Sequence, residues 1–153
     1  MDRRPLGNVT APPDECGVIS TDSIALAVGL SNFRASGSTS AADFSHCVIT
    51  KSSEAGSEAV MSVELHDPLD TPVDNLEYAK TKDNGSDLPD GVKPGYSALI
   101  KDTGGNTIGA KALSWTPDGR KMLVIQIVRG APGRDHRADV VEFMRQLRPT
   151  LLA

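Results

Sequence analysis

Hydrophobic and polar residues alternate along the segment EAVMSVELH, residues 58–66. The expected inward positions are Ala59, Met61, Val63 and Leu65, and the expected outward positions are Glu58, Ser62, Glu64 and His66, with Val60 as the exception. This period of two predicts a half-buried β-strand, because successive side chains of a strand point to opposite faces. The preceding segment HCVITK predicts another strand, joined to the first by a turn in SEAGSE.

Three more segments are typical of strands, namely YSALIKD, TIGAKALSW and RKMLVIQIV. Their connections, TGGN and TPDG, are short and rich in turn residues, which favours an antiparallel meander. Apart from Gln126, the last strand is apolar on both faces. We therefore expect it to lie at the centre of the sheet.

Helix signals occur at three places along the chain. Ser20 is a candidate N-cap, and Gly29 follows the helical pattern at the position where a left-handed residue ends a helix. Thr71 is the expected N-cap of a second helix, with Pro72 in its first turn. Residues 137–152 carry apolar side chains at helical spacing and predict a terminal helix.

The predicted order is helix, two strands, helix, three strands, helix, or αββαβββα. Residues 1–15 contain three prolines and no periodicity, so we expect a flexible N-terminal arm or tether. Residues 16–153 are then a single globular domain. This order predicts an α+β fold, in which helices pack on one face of an antiparallel sheet of about five strands.

Composition narrows the possible partners of this domain. The chain has 153 residues, 39% hydrophobic content and a net charge of −4 at pH 7. An acidic balance without a basic run argues against a nucleic-acid partner. No apolar run approaches the roughly 18 residues of a membrane span. The N-terminal residues MDRRPLGN lack the apolar stretch of a signal peptide, so we expect either a cytosolic protein or export directed by a preceding segment.

The chain has two cysteines, Cys16 and Cys47. We favour a structural disulfide, which would tie the start of the first helix to the first predicted strand. Two free buried thiols are the main alternative. Zinc or redox chemistry is disfavoured because the paired short spacing C-x-x-C is absent from the sequence.

The pattern CGVISTDSIALAVG, followed by a polar loop, a second cysteine that opens a strand, a late hairpin and a terminal helix, carries a resemblance. It resembles a group of small exported domains of actinobacteria, many of them lipoproteins of unassigned function, which open with C-[GA]-[LV]-[LI]-[ST] before a short helix. The resemblance implies an extracytoplasmic domain in which Cys16 is bonded to Cys47. Neither cysteine has the context of a lipidated residue, so a tether would lie in a segment outside this sequence.

Two polar clusters are candidates for chemistry. His66, Asp67 and Asp70 lie close together in LHDPLD and could orient a base, although a turn and a helix start explain the same residues. The segment GRDHR places Arg134 and Arg137 at the start of the last helix, where a cation gains nothing from the helix dipole. That position suggests an anion or partner site, with a surface turn as the favoured interpretation.

We find no catalytic signature in the sequence and expect no metal and no cofactor. The leading hypothesis is a non-catalytic, extracytoplasmic interaction, sensory or accessory domain of a bacterial envelope protein, with an envelope protein or a small ligand as its partner. The first alternative is a carrier of a small molecule or lipid, with a pocket between sheet and helices. A hydrolase-type enzyme acting through His66, Asp67 and Asp70 is the second alternative.

Overall fold

The computed structural model describes residues 2–51 and 58–152. Its three helices are α1 (Thr21–Val28), α2 (Val73–Lys82) and α3 (His136–Leu151). The strands are β1 (Asp14–Glu15), β2 (Ile19–Ser20), β3 (Arg34–Gly37), β4 (His46–Thr50), β5 (Ala59–His66), β6 (Ser86–Asp87), β7 (Gly95–Lys101), β8 (Thr107–Trp115) and β9 (Met122–Val128). The turn predicted in SEAGSE, residues 53–58, lies outside the described residues apart from Glu58.

The main sheet is antiparallel and has seven strands in the order β3-β4-β5-β9-β8-β7-β6, and β1 pairs with β2 in a separate small sheet. The α+β content and the β7–β8–β9 meander are confirmed. The prediction of about five strands in the order αββαβββα is wrong. Strands β1, β2, β3 and β6 were missed because each is only two to four residues long, too short for a visible period.

Strand β9 is the fourth of the seven strands, so its predicted central position is confirmed. Its residue Ile125 pairs with Val63 of β5 on one side and with Ala112 of β8 on the other. Directly paired residues lie on the same face of a sheet, and all three are fully buried. They belong to the large hydrophobic core that also contains the apolar side chains of α1 and α3.

Helix α2 packs on the opposite face. The neighbouring row of the sheet, which includes Val124 and Leu113, packs with Leu76 of α2 in a second cluster. Tyr96 and Trp115 meet edge to face in that cluster, with ring centroids 6.3 Å apart. The prediction that all helices share one face is therefore wrong: α1 and α3 cover one face, and α2 covers part of the other.

Both ends of α1 agree with the capping residues predicted from the sequence, and the start of α2 does not. Ser20 is the N-cap of α1 and accepts a hydrogen bond from the backbone N–H of Ser23, and Gly29 ends the helix in the left-handed conformation, as predicted. Thr71 does not cap α2: Pro72 occupies the N-cap position, and no side chain caps that end. The structure thus moves the start of α2 one residue beyond the prediction.

Residues 2–15, predicted to be a flexible arm, lie against the domain in the structure. Leu6 and Val9 are buried in the main core. Ser23 of α1 donates a hydrogen bond to the carbonyl of Leu6, and the side-chain amide of Gln146 in α3 bonds both the N–H of Val9 and the carbonyl of Gly7. The segment therefore contributes side chains and hydrogen bonds to the folded unit.

Candidate functional site

Cys16 and Cys47 form a disulfide with an S–S distance of 2.02 Å, so the predicted bond is confirmed. It joins the turn before β2 to strand β4, and Cys47 is buried. The neighbouring Gly17 has φ +80°, and a Cβ there would lie 2.5 Å from the carbonyl oxygen of Thr39. Glycine is thus required at this position, both by the backbone conformation and by the close approach of the loop.

The predicted group His66, Asp67 and Asp70 lies between the end of β5 and the start of α2, and all three residues are exposed. His66 Nε2 is 3.3 Å from a carboxylate oxygen of Glu64, and Asp67 is 3.9 Å from Lys121 Nζ. No hydrogen bond or ion pair joins any two of the three among the described residues. The hydrolase alternative and the carrier alternative stay predictions.

Within residues 2–51 and 58–152, no group of three or more histidine, cysteine or acidic side chains is arranged to hold a metal ion. Asp83 instead accepts hydrogen bonds from Tyr96 and Lys111, both 2.9 Å away. Burial acts to raise the pKa of Asp83, but these two bonds together bring it below its usual value. The carboxylate is therefore an ionised structural partner of its neighbours.

The GRDHR segment separates into two different environments. The Arg134 side chain is 3% exposed, and its Nε and Nη2 bond both oxygens of Asp139, at 2.9 and 2.7 Å. Arg134 Nη2 also donates to the carbonyl of Arg4, and Nη1 lies 3.5 Å from a carboxylate oxygen of Asp2. The hydrogen bonds that Arg134 donates to Asp139 are the main cause that raises the pKa of the guanidinium further. This arginine holds the N-terminal segment to the start of α3.

Arg137 lies in the first turn of α3 and is held by three neutral acceptors. Its Nε donates to Ser97 Oγ at 3.1 Å, and its Nη2 donates to Ser97 O at 2.8 Å and to Ser86 Oγ at 2.9 Å. These partners belong to β7 and β6, the last two strands at this edge of the sheet. Arg137 therefore fastens α3 to the sheet edge without a carboxylate.

A surface depression of about 340 Å³ lies beside Arg137. It is lined by Lys82, Asp83, Asn84, Leu99, Lys101 and Arg137, a set that we call the cationic edge site. Arg137 also lines a second depression of about 330 Å³, which continues along α3 past Ala138 and Val141. The guanidinium thus stands between two adjoining hollows.

The cationic edge site has an excess of positive charge. In the part of the chain that the structure describes, Lys82, Lys101 and Arg137 form no ion pair with a carboxylate. Asp83, the acidic residue of the site, is already paired with Lys111. An excess of cations in a hollow is unusual on a chain whose net charge is −4, and a local positive field attracts anions.

Sequence reasoning found only part of this site. The position of Arg137 at a helix start suggested an anion or partner site, but Lys82 and Lys101 come from a helix end and a strand end far away in the chain. Neither lysine has a local pattern that separates it from an ordinary solvated surface residue. Their convergence depends on β6 and β7 being neighbours in the sheet, and β6 was not predicted.

No described helix has the length and apolar content needed to cross a membrane. Comparison with known proteins gives no match: no family model, no curated protein and no solved structure is significantly similar to this chain.

Proposed function

We propose that this protein is a non-catalytic binding domain that works outside the cytoplasm and binds an anionic partner at the cationic edge site. The observation that carries the proposal is the convergence of Lys82, Lys101 and Arg137 around one depression without carboxylate partners among the described residues. A guanidinium that is already oriented loses little conformational freedom when it binds an anion.

The contacts of Arg137 support a role in binding. Two serine hydroxyls and a carbonyl orient the side chain, but they carry no formal charge to neutralise it. An incoming carboxylate or phosphate would supply that charge through hydrogen bonds to a cation, which are stronger than bonds between neutral groups. Leu99, with 41% of its surface exposed, offers an apolar contact in the same depression.

The Cys16–Cys47 disulfide supports the proposed location. Disulfides persist in oxidising compartments and are rare in the cytosol, where thiols are kept reduced. The resemblance to small exported domains favours the same compartment. We expect rapid acid quenching and alkylation of host cells to find both cysteines oxidised in the native protein. Recovery of the protein with two alkylated thiols would contradict an extracytoplasmic location.

Anion binding is tested with inositol hexakisphosphate, a soluble polyanion, by isothermal titration calorimetry at low ionic strength. We expect Arg137→Gln to weaken binding by about tenfold or more, because a hydrogen bond to a charged group contributes roughly 1.5–3 kcal/mol. Affinity should also fall as salt is added, since salt screens exposed charges.

Arg34→Gln is the matched control. Arg34 is an exposed arginine of β3, at the opposite edge of the sheet, and it forms no ion pair with another described residue. This variant makes the same change in net charge at a distant place. Equal losses in the two variants would show that binding follows net charge alone, and the proposal would then be rejected.

A further inference from the structure

The outer edge of β7 is only partly covered. Strand β6 pairs with β7 at two positions, Ser86 with Ser97 and Asp87 with Tyr96. Beyond Ser97, no described strand pairs with β7 on this side. A free strand edge presents unpaired N–H and C=O groups and is a template for adding another strand.

The direction of the backbone groups along β7 follows from three hydrogen bonds. The carbonyl of Gly95 accepts from Leu88 N on the β6 side, and the carbonyl of Ser97 accepts from Arg137 on that side. The carbonyl of Pro94 accepts from Trp115 N on the β8 side. Because these directions alternate along a strand, the N–H and C=O of Leu99 point to the outer edge, where the described residues provide no backbone partner.

The cationic edge site occupies the place where a longer β6 would continue. Asn84 precedes β6 and has a left-handed backbone with φ +56°, and the described pairing of β6 with β7 begins only at Ser86. The depression between Asn84 and Leu99 is the resulting gap. An open strand edge, an exposed leucine side chain and three unpaired cations therefore meet in one hollow.

We propose that the partner of the cationic edge site is an extended acidic peptide segment, which adds to β7 by pairing with the backbone of Leu99. This inference rests on the proposed function and specifies its ligand. The peptide backbone supplies the N–H and C=O groups that Leu99 lacks, and its carboxylates bind Arg137, Lys82 and Lys101. Strand addition of this kind uses main-chain bonds for affinity and side-chain contacts for selectivity.

Lysines beside a strand edge also discourage uncontrolled pairing between sheets. Arg137 goes beyond that protective role, because it reaches from α3 and is bonded to the edge strand itself through Ser97. The same positive charge that repels a basic or apolar segment attracts an acidic one. Charge complementarity thus selects an acidic peptide among extended segments.

The test uses the peptide Glu-Val-Glu-Val-Glu-Val and the same peptide N-methylated at every residue, which keeps all carboxylates but removes the backbone donors. We expect N-methylation to weaken binding by about tenfold or more, and Lys-Val-Lys-Val-Lys-Val not to bind. We also expect saturation with the first peptide to slow hydrogen exchange of the Leu99 amide by about tenfold or more, whereas inositol hexakisphosphate leaves it unchanged.

A protein variant tests the same contact. Leu99→Pro removes the outward N–H together with the leucine side chain, a change that edge strands tolerate, whereas the control Leu99→Ala removes only the side chain. We therefore expect Leu99→Pro to weaken binding of the acidic peptide more than Leu99→Ala does. If Leu99→Pro does not fold, the N-methylated peptide still decides the question. Equal affinity of the two acidic peptides overturns strand addition. Binding of inositol hexakisphosphate without binding of the peptide overturns it as well. In both cases the proposed function stands. If neither ligand binds, both proposals fail.

Discussion

Arg134 and Arg137 lie three residues apart at the start of α3, yet the structure places them in opposite surroundings. Arg134 is buried and bonded to both oxygens of Asp139, with Asp2 nearby. Arg137 is half-buried and bonded only to uncharged oxygens of Ser97 and Ser86. One arginine has its charge matched by a carboxylate, and the other has only neutral acceptors among the described residues.

The comparison shows that the residue type and its position in the helix do not determine the role of an arginine. Both side chains are at the positive end of the helix dipole, where a cation is disfavoured. The carboxylate of Asp139 offsets this disadvantage for Arg134. Arg137 has no such direct carboxylate partner among the described residues, and under our proposal an anionic ligand would supply it.

The largest expected effect is on stability, through Arg134. Arg134→Met leaves Asp139 as a buried carboxylate without its partner, so the free energy of unfolding should fall by about 3–5 kcal/mol. Arg137→Met removes the hydrogen bonds that this half-buried cation donates to Ser97 and Ser86, and it should lower the free energy of unfolding by less, about 1–2 kcal/mol. Urea denaturation of both variants measures the difference. Equal losses would contradict the division of roles between the two arginines.

A double variant sharpens this result. Arg134→Met with Asp139→Leu replaces the buried ion pair by apolar side chains, and such replacements are often neutral or stabilising. We expect the double variant to recover at least about half of the stability lost in Arg134→Met. No recovery would mean that Arg134 stabilises the fold mainly through its bond to Arg4 O and its proximity to Asp2 in the N-terminal segment.

A smaller loss of stability is expected from a change at Gln146, further along α3. Gln146→Ala removes the hydrogen bonds to Val9 N and Gly7 O, so the free energy of unfolding should fall by about 1–2 kcal/mol. The N-terminal amides should then exchange faster with solvent. Gln126→Ala on the central strand is the control, and it should leave those amides unchanged. Unchanged exchange in Gln146→Ala would show that the buried Leu6 and Val9 hold the segment by themselves.

The sequence predicted correctly those structural features that depend on a few adjacent residues. The caps of α1 depend on Ser20 and Gly29 alone, and the central position of β9 follows from the apolar residues on both of its faces. Strand β3 could not be predicted, because it has only four residues and all of them are half-buried or exposed. Nothing in the four letters RASG distinguishes such a strand from a polar loop.

The candidate site was less predictable than the fold. His66, Asp67 and Asp70 are neighbours in sequence, but the structure pairs His66 with Glu64 and Asp67 with Lys121 instead of with one another. The difference between Arg134 and Arg137 depends on the N-terminal segment on one side and on the β6–β7 edge on the other. Both are tertiary contacts between segments distant in sequence, which local patterns do not encode.

The smallest expected effect concerns His136, which lies between the two arginines. Its Nδ1 is buried and has no hydrogen-bond partner within the described residues. Burial, aided by the charge of Arg134, lowers the pKa of His136, although Asp139 and Asp135 act in the opposite direction. The unfolded chain therefore binds a proton at this residue more readily than the folded protein does.

Stability should accordingly decrease as the pH falls below about 6.5, the usual pKa of histidine, because protonation of His136 then favours the unfolded state. We expect His136→Asn, which cannot titrate, to lose less stability than the wild type between about pH 7 and pH 5. Urea denaturation at the two pH values measures this difference. His46→Asn, a change at an exposed histidine of β4, is the control and should retain the wild-type dependence. If His136→Asn loses as much stability as the wild type over this pH range, the pH dependence of stability arises from other groups.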